Sequence, residues 1–222
     1  TERSVQRMLI QHIGHAEFLI ETESGVRIVT DPYDAGCGYP IRKVIADIGL
    51  ISHHHHDHDA VENLKGNPRI IDQAGHYTLE ADVKITAVSG FHDDEGGSRR
   101  GTTLLFLIET EGLRIVHLGD LGCALDDGQL ETLNQPDVLM IPVGGYFTID
   151  AEQARDTASR LGARIILPMH YKTAYNQDWP IAGPAAFLKL YEGKEICMEA
   201  EALRVTKRDM DCQPDVVMFR EP

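Results

Sequence analysis

Short apolar, β-branched runs separated by turn residues fill the first half of the chain. Val5 to Ile10, Glu17 to Thr22 and Val26 to Thr30 read as strands, with Glu23-Ser24-Gly25 as the hairpin turn between the last two. Ile48 to Ser52 is another short apolar run, ending where a block of histidines begins. Val61 to Lys65, closed by Gly66, predicts a short helix, and Arg69 to Ile71 and Val83 to Val88 predict strands. The second half repeats this grammar. Thr102 to Thr110 and Leu113 to Leu118 predict a hairpin, and Val138 to Ile141 a buried strand. Asp150-Ala151-Glu152-Gln153 has the pattern of a capping box, opening a helix that runs to Leu161 before Gly162. Arg164 to Met169 predicts a strand, and Pro184 to Tyr191 a helix started by proline and ended near Gly193. The tail, Glu195 to Arg220, carries two or three further strands.

One pattern occurs twice. Phe18-Leu19-Ile20-Glu21-Thr22-Glu23 recurs as Phe106-Leu107-Ile108-Glu109-Thr110-Glu111, and each copy continues through a glycine into Val-Arg-Ile-Val or Leu-Arg-Ile-Val. An aspartate, Asp31 or Asp120, follows each copy. Two related βα halves, stacked sheet on sheet with helices outside, would generate this echo. Loops at one end of the strands would then share a site.

Composition narrows the class. A chain of 222 residues, 42% hydrophobic and 25% charged, has the material for one domain over residues 1–222, and no Pro/Ser-rich linker divides it. The net charge of −14 argues against a protein that coats nucleic acid or a membrane surface. No run of eighteen apolar residues is present, and Thr1-Glu2-Arg3-Ser4 does not lead into an apolar stretch. Four cysteines without a Cys-x-x-Cys pair fit a reduced, cytoplasmic protein.

The candidate chemistry lies in Ser52-His53-His54-His55-His56-Asp57-His58. Residues at i and i+2 in an extended segment point the same way, so His53 and His55 can grip one metal. Asp57 and His58, at the turn that follows, can grip a second. Imidazole and carboxylate suit zinc, manganese and iron. Two metals need further ligands. Asp120 ends a strand, where a carboxylate can bridge both, and His170 in Pro168-Met169-His170-Tyr171 suits the second metal. His92 completes the first, ahead of His76, which reads as a surface residue, and of His117, which reads as a core histidine.

This set resembles the ordered motifs of the metallo-β-lactamase superfamily. Gly14-His15-Ala16, Thr30-Asp31-Pro32, Pro142-Val143-Gly144-Gly145 and Pro168-Met169-His170-Tyr171 are similar to its branch of ascorbate-6-phosphate lactonase-like and uncharacterised metal-dependent hydrolases. The likeness runs from about residue 8 to about residue 175. It implies an α/β fold, an αβ/βα four-layer sandwich with the metals at one edge, and says little about substrate.

The mechanism expected is hydrolysis by a hydroxide bridging two divalent cations, zinc foremost and manganese or iron next, on a phosphoester, lactone or similar small anionic ester. His53, His55 and His92 would hold the first cation and Asp57, His58 and His170 the second. Asp120 would bridge them, and Asp57 would orient the hydroxide. Asp31 either fixes a ligand imidazole or is a turn residue before proline. Arg99 and Arg100, in a glycine-rich flexible loop from Asp93 to Gly101, either hold an anionic group or form a solvated basic loop. Tyr171 and Lys172 follow a ligand directly, placing one of them at the pocket. His15 either faces the site or stabilises its turn, and His54 and His56 alternate away from the ligand face. Two other readings compete. One is an iron-dependent redox or oxygenase member of the same fold, against which His55 counts, since di-iron flavoprotein relatives place a glutamate there. The other is a non-catalytic metal-binding domain.

Overall fold

Alternation along Thr102–Thr110 lays out the architecture. Leu104, Phe106 and Ile108 enter an apolar core shared by two sheets, whereas Leu105 and Leu107 join a second core beneath the helices. The computed structural model describes residues 7–222, so the beginning of the strand expected from Val5 lies outside the described residues.

In chain order the strands of the first half are Met8–Gly14 (β1), Glu17–Glu21 (β2), Arg27–Thr30 (β3), Val44–Ile45 (β4), Ile48–Leu50 (β5), Leu64–Lys65 (β6) and Arg69–Ile71 (β7). Gly75–Thr78 (β8), Lys84–Phe91 (β9), Thr102–Thr110 (β10) and Leu113–His117 (β11) follow. The remainder alternates: Asp127–Leu133 (α1), Val138–Pro142 (β12), Ala151–Leu161 (α2), Ile165–Met169 (β13), Ala185–Lys189 (α3). Ile196–Ala200 (β14), Leu203–Val205 (β15) and Val216–Phe219 (β16) end the chain. One sheet has the order β15-β1-β2-β3-β5-β7 and the other β14-β16-β13-β12-β11-β10-β9-β8.

The repeated sequence pattern is a repeated structure. Phe18 pairs with Thr30 and Ile20 with Ile28 in one hairpin; Phe106 pairs with His117 and Ile108 with Ile115 in the other. Each hairpin is preceded by an antiparallel strand and followed by a parallel one. Strands β1, β3 and β5 therefore point the same way in their sheet, as do β9, β11 and β13 in theirs. The loops that leave these six strands carry His15, Asp31, the histidine block, His92, Asp120 and His170.

The chain departs from the expected elements in several places, and α1 is one that no sequence pattern predicts. Val61–Asn63 is a single 3-10 turn, and Leu64–Lys65 pairs in parallel with Val44–Ile45. Five residues cannot offset helix nucleation, and Ala60 at the N-cap supplies no side-chain hydrogen bond. His76 lies in β8, an edge strand that no expected element covers. The α-helices of the described residues pack on the second sheet. Outside the first sheet, Leu64, Ala46 and Val44 cover Val29 and Leu19, so turns and a two-stranded ribbon replace a helical layer.

Candidate metal centre

Backbone geometry delivers the site residues. Gly14 (φ 153°) turns the chain at the end of β1, and His15, Asp31 and His170 all have positive φ, at 52°, 39° and 50°. Such conformations are uncommon for non-glycine residues and concentrate at functional sites. Gly119 (φ 48°) precedes Asp120, and a Cβ added at this glycine would stand 2.5 Å from Thr103 Oγ1. The two sheets are tied at this edge by Leu104 N–H to Ser52 O (2.8 Å) and His170 N–H to His15 O (3.1 Å).

Asp120 is the centre of the arrangement. Its carboxylate lies 3.2 Å from His170 Nε2, 3.3 Å from both His92 Nε2 and His58 Nε2, and 3.9 Å from His53 Nε2. His53, His55 and His92 bring ligand atoms within 4.8 Å of one another on one side. Asp57, His58 and His170 do the same on the other, together with His15. Asp57 Oδ2 is 3.5 Å from His58 Nε2 and 3.2 Å from His15 Nε2.

Asp31 is an anchor behind the ligands. It accepts hydrogen bonds from Ser52 N (2.7 Å), from Ser52 Oγ (2.7 Å) and from His58 Nδ1 (3.0 Å). Ser52 Oγ also lies 2.9 Å from His53 Nδ1, so one aspartate orients both metal sets. Sequence reasoning assigns Ser52 no role; its one signal is its position directly before the histidines. His117 is a core residue, with Nε2 donating to Ala16 O (3.0 Å) and Nδ1 accepting from Gly119 N (3.1 Å). His76 bonds Thr86 on the surface. His54 and His56 are exposed, beside Asp59 and Asp34.

The electrostatics match the demands of a cation. Burial, and then the neighbouring His58, lowers His53 to about 3, and burial and then His170 lower His15 to about 4, so both are neutral near pH 7. Burial also lowers His92, against the pull of Asp120. Burial opposes ionisation of Asp57 and Asp120, but the surrounding imidazoles outweigh it and hold both carboxyls low. Burial opposes a charge on His58 as well, yet Asp120, Asp57 and Asp31 outweigh it and raise its pKa well above the ordinary value. The carboxylate cluster therefore draws positive charge to this point. His53 Nε2, His58 Nε2 and Asp120 Oδ1 face one another and are buried without hydrogen-bond partners, the signature of groups that wait for a cation. The donor set, imidazoles with carboxylates, fits transition-metal ions.

Above these groups lies a cavity of about 660 Å³ with Asp57, His92, Asp120 and His170 at its base. Arg100, Phe147 and Trp179 form its walls. The Arg100 guanidinium stands 5.4 Å from the ring centre of Phe147 and 5.9 Å from that of Tyr146. Sequence reasoning misses Phe147 and Trp179, which lie on irregular loops without periodicity. Three candidates take other places. Arg99 is exposed and paired with Glu95, Tyr171 is buried in the core under the helices, and Lys172 is absent from the cavity lining. The loop from Asp93 is anchored, not free: the Asp93 carboxylate accepts from the backbone N–H groups of Glu95, Gly97, Arg99 and Arg100 at 2.8–3.0 Å. That clamp turns the two arginines in different directions.

The chain is similar to known proteins to different degrees. The model of the beta-lactamase superfamily domain matches residues 9–170. A UPF0173 metal-dependent hydrolase of Thermococcus onnurineus is 33% identical, over 83% of this chain and 92% of its own. One from Archaeoglobus fulgidus is 28% identical over 89% and 96%. A crystal structure from Thermotoga maritima, described as a Zn-dependent hydrolase of the metallo-beta-lactamase superfamily, is 38% identical with a TM-score of 0.78, covering 96% of this chain and all of that one.

Proposed function

The chain belongs to the beta-lactamase superfamily domain family, and from that membership we propose that it is a metal-dependent hydrolase with two divalent cations, acting on a small anionic ester. The observation that carries the reading is Asp120, buried and unpartnered at Oδ1, reaching imidazoles of both ligand sets. The names of the relatives from Thermococcus onnurineus and Archaeoglobus fulgidus support hydrolysis. His53, His55 and His92 are assigned to the first cation, Asp57, His58 and His170 to the second, and Asp120 to both. Zinc suits the imidazole-rich first set, and the carboxylates of the second also accept manganese. Bound cations supply an acidified water and positive charge for the departing oxygen.

The remaining work falls to the chain. Asp57, ionised and facing the cavity, orients the attacking water by accepting a hydrogen bond from it. Arg100 receives the substrate's anionic group, while Phe147 and Trp179 flank its apolar part and exclude water.

The test uses metal-depleted protein with zinc or manganese restored, offered bis-p-nitrophenyl phosphate, phosphorylated lactones and simple esters. Turnover should appear only with metal and fall by about 100-fold or more in Asp120→Ala. Arg100→Ala should raise KM about tenfold for anionic substrates and leave neutral esters unchanged. Full turnover in Asp120→Ala would overturn the assignment.

A further inference from the structure

The two ligand sets are more alike than a division into three histidines and two makes them. His53, His55 and His92 form a triad whose ring centres are 4.5, 4.8 and 5.3 Å apart. A second imidazole triad stands on the other side of Asp120. In it His15 is 4.2 Å from His170 and 5.2 Å from His58, and His58 is 5.9 Å from His170. His15 is buried, reached by a turn at Gly14 that only glycine adopts easily.

A turn-stabilising histidine would use its ring on its own turn. Here the backbone holds the turn instead, since His15 O accepts from His12 Nε2 (3.0 Å) and from His170 N (3.1 Å). The ring contributes nothing to the turn. Its Nε2 faces Asp57 Oδ2 at 3.2 Å, and its donor atom lies within 4.8 Å of those of Asp57, His58 and His170. Neighbouring donor atoms on one four- or five-coordinate zinc lie about 3.0–3.4 Å apart. Asp57 Oδ2 stands 3.2 Å from His15 Nε2 and 3.5 Å from His58 Nε2, close to that spacing. Trp179, 5.2 Å away and edge-on, holds the ring in place.

We infer that His15 is a direct ligand of the second cation, so that each metal is held by three imidazoles, with Asp57 added at the second and Asp120 shared. The inference rests on the two-metal reading and changes its second site.

The experiment is NMR of the protein labelled with 15N at histidine and loaded with 113Cd. Two cadmium resonances are expected, with one-bond nitrogen–cadmium splittings from His15, His58 and His170 to one ion and from His53, His55 and His92 to the other. The His15 signal is identified by its loss in His15→Gln. That variant should keep the first cadmium and bind the second about 100-fold more weakly or worse. Two resonances with His15 unsplit, while His58 and His170 are split, would overturn the assignment of His15 alone. A single resonance at saturating cadmium would overturn the two-metal reading itself.

Discussion

Glu17 shows how a single residue at this edge carries a cost. Its side chain is 2% exposed, and Oε1 has no partner. Burial raises its pKa to about 8, against a smaller opposing contribution from the backbone of Tyr33. The folded state thus binds a proton that the unfolded chain releases near 4.5. Between these values the folded form holds more protons, so stability falls as pH rises from about 4.5 towards 8. Glu17→Gln should remove this slope. Urea unfolding in chelator should give equal midpoints near pH 4, with the variant ahead by about 4 kcal/mol at pH 8. Parallel pH profiles would refute it. Glu17 has no readable signal in the sequence, since one glutamate opening an alternating strand looks solvent-facing. Asp31 is equally readable as an anchor or a turn residue, because its partners Ser52 and His58 arrive from 21 and 27 positions away. His53, His55 and His58 are legible because their spacing is local. His15 is not, because Asp57 lies 42 positions further along.

Elements convert these residues into a site by placing strand ends together, and close backbone approach sets the tolerance. Gly122 is one such point. A Cβ there would stand 2.3 Å from Asp93 N and 2.4 Å from His92 C, against backbone that cannot swing aside. Gly122→Ala should therefore displace His92 and weaken the first cation by at least about tenfold, with the fold retained by circular dichroism. Unchanged zinc affinity by competition with a chelator would contradict it. The strands are legible because alternation and β-branched runs are local signals, and α2 because Asp150 and Gln153 form the capping box their spacing suggests. Helix α1 carries the same box at Asp126 and Gln129, but Gly128 and a length of seven residues hide it. The failed helix at Val61–Lys65 has the converse fault: a plausible stop at Gly66 and no start. Its strand identity comes from Val44–Ile45, a pairing no local pattern encodes.

At the scale of the molecule, two copies of one hairpin pattern are visible in the sequence, and their stacking explains why six loops meet at one edge. The arrangement concentrates unsatisfied chemistry there. Buried, partnerless polar atoms of His15, His53, His58, His92, Asp120 and His170 share this edge, and the carboxylates beside them stay ionised. Each such group costs free energy in the metal-free fold, since folding has removed its water. The net charge of −14 adds to the local demand for cations. Ions that bind only the folded chain shift the unfolding equilibrium by mass action, about 2.7 kcal/mol per site when free metal is 100 times its dissociation constant. Two sites then give about 5 kcal/mol, and a chain of this size gains about 2–4 °C per kcal/mol. Zinc added to metal-free protein should accordingly raise Tm by about 10–20 °C and continue to raise it with concentration. Asp120→Ala, which removes the carboxylate proposed to serve both ions, should forfeit most of that gain while retaining a cooperative transition. A melting temperature unmoved by zinc, in protein shown metal-free by elemental analysis, would mean that these buried groups serve the fold without a cation.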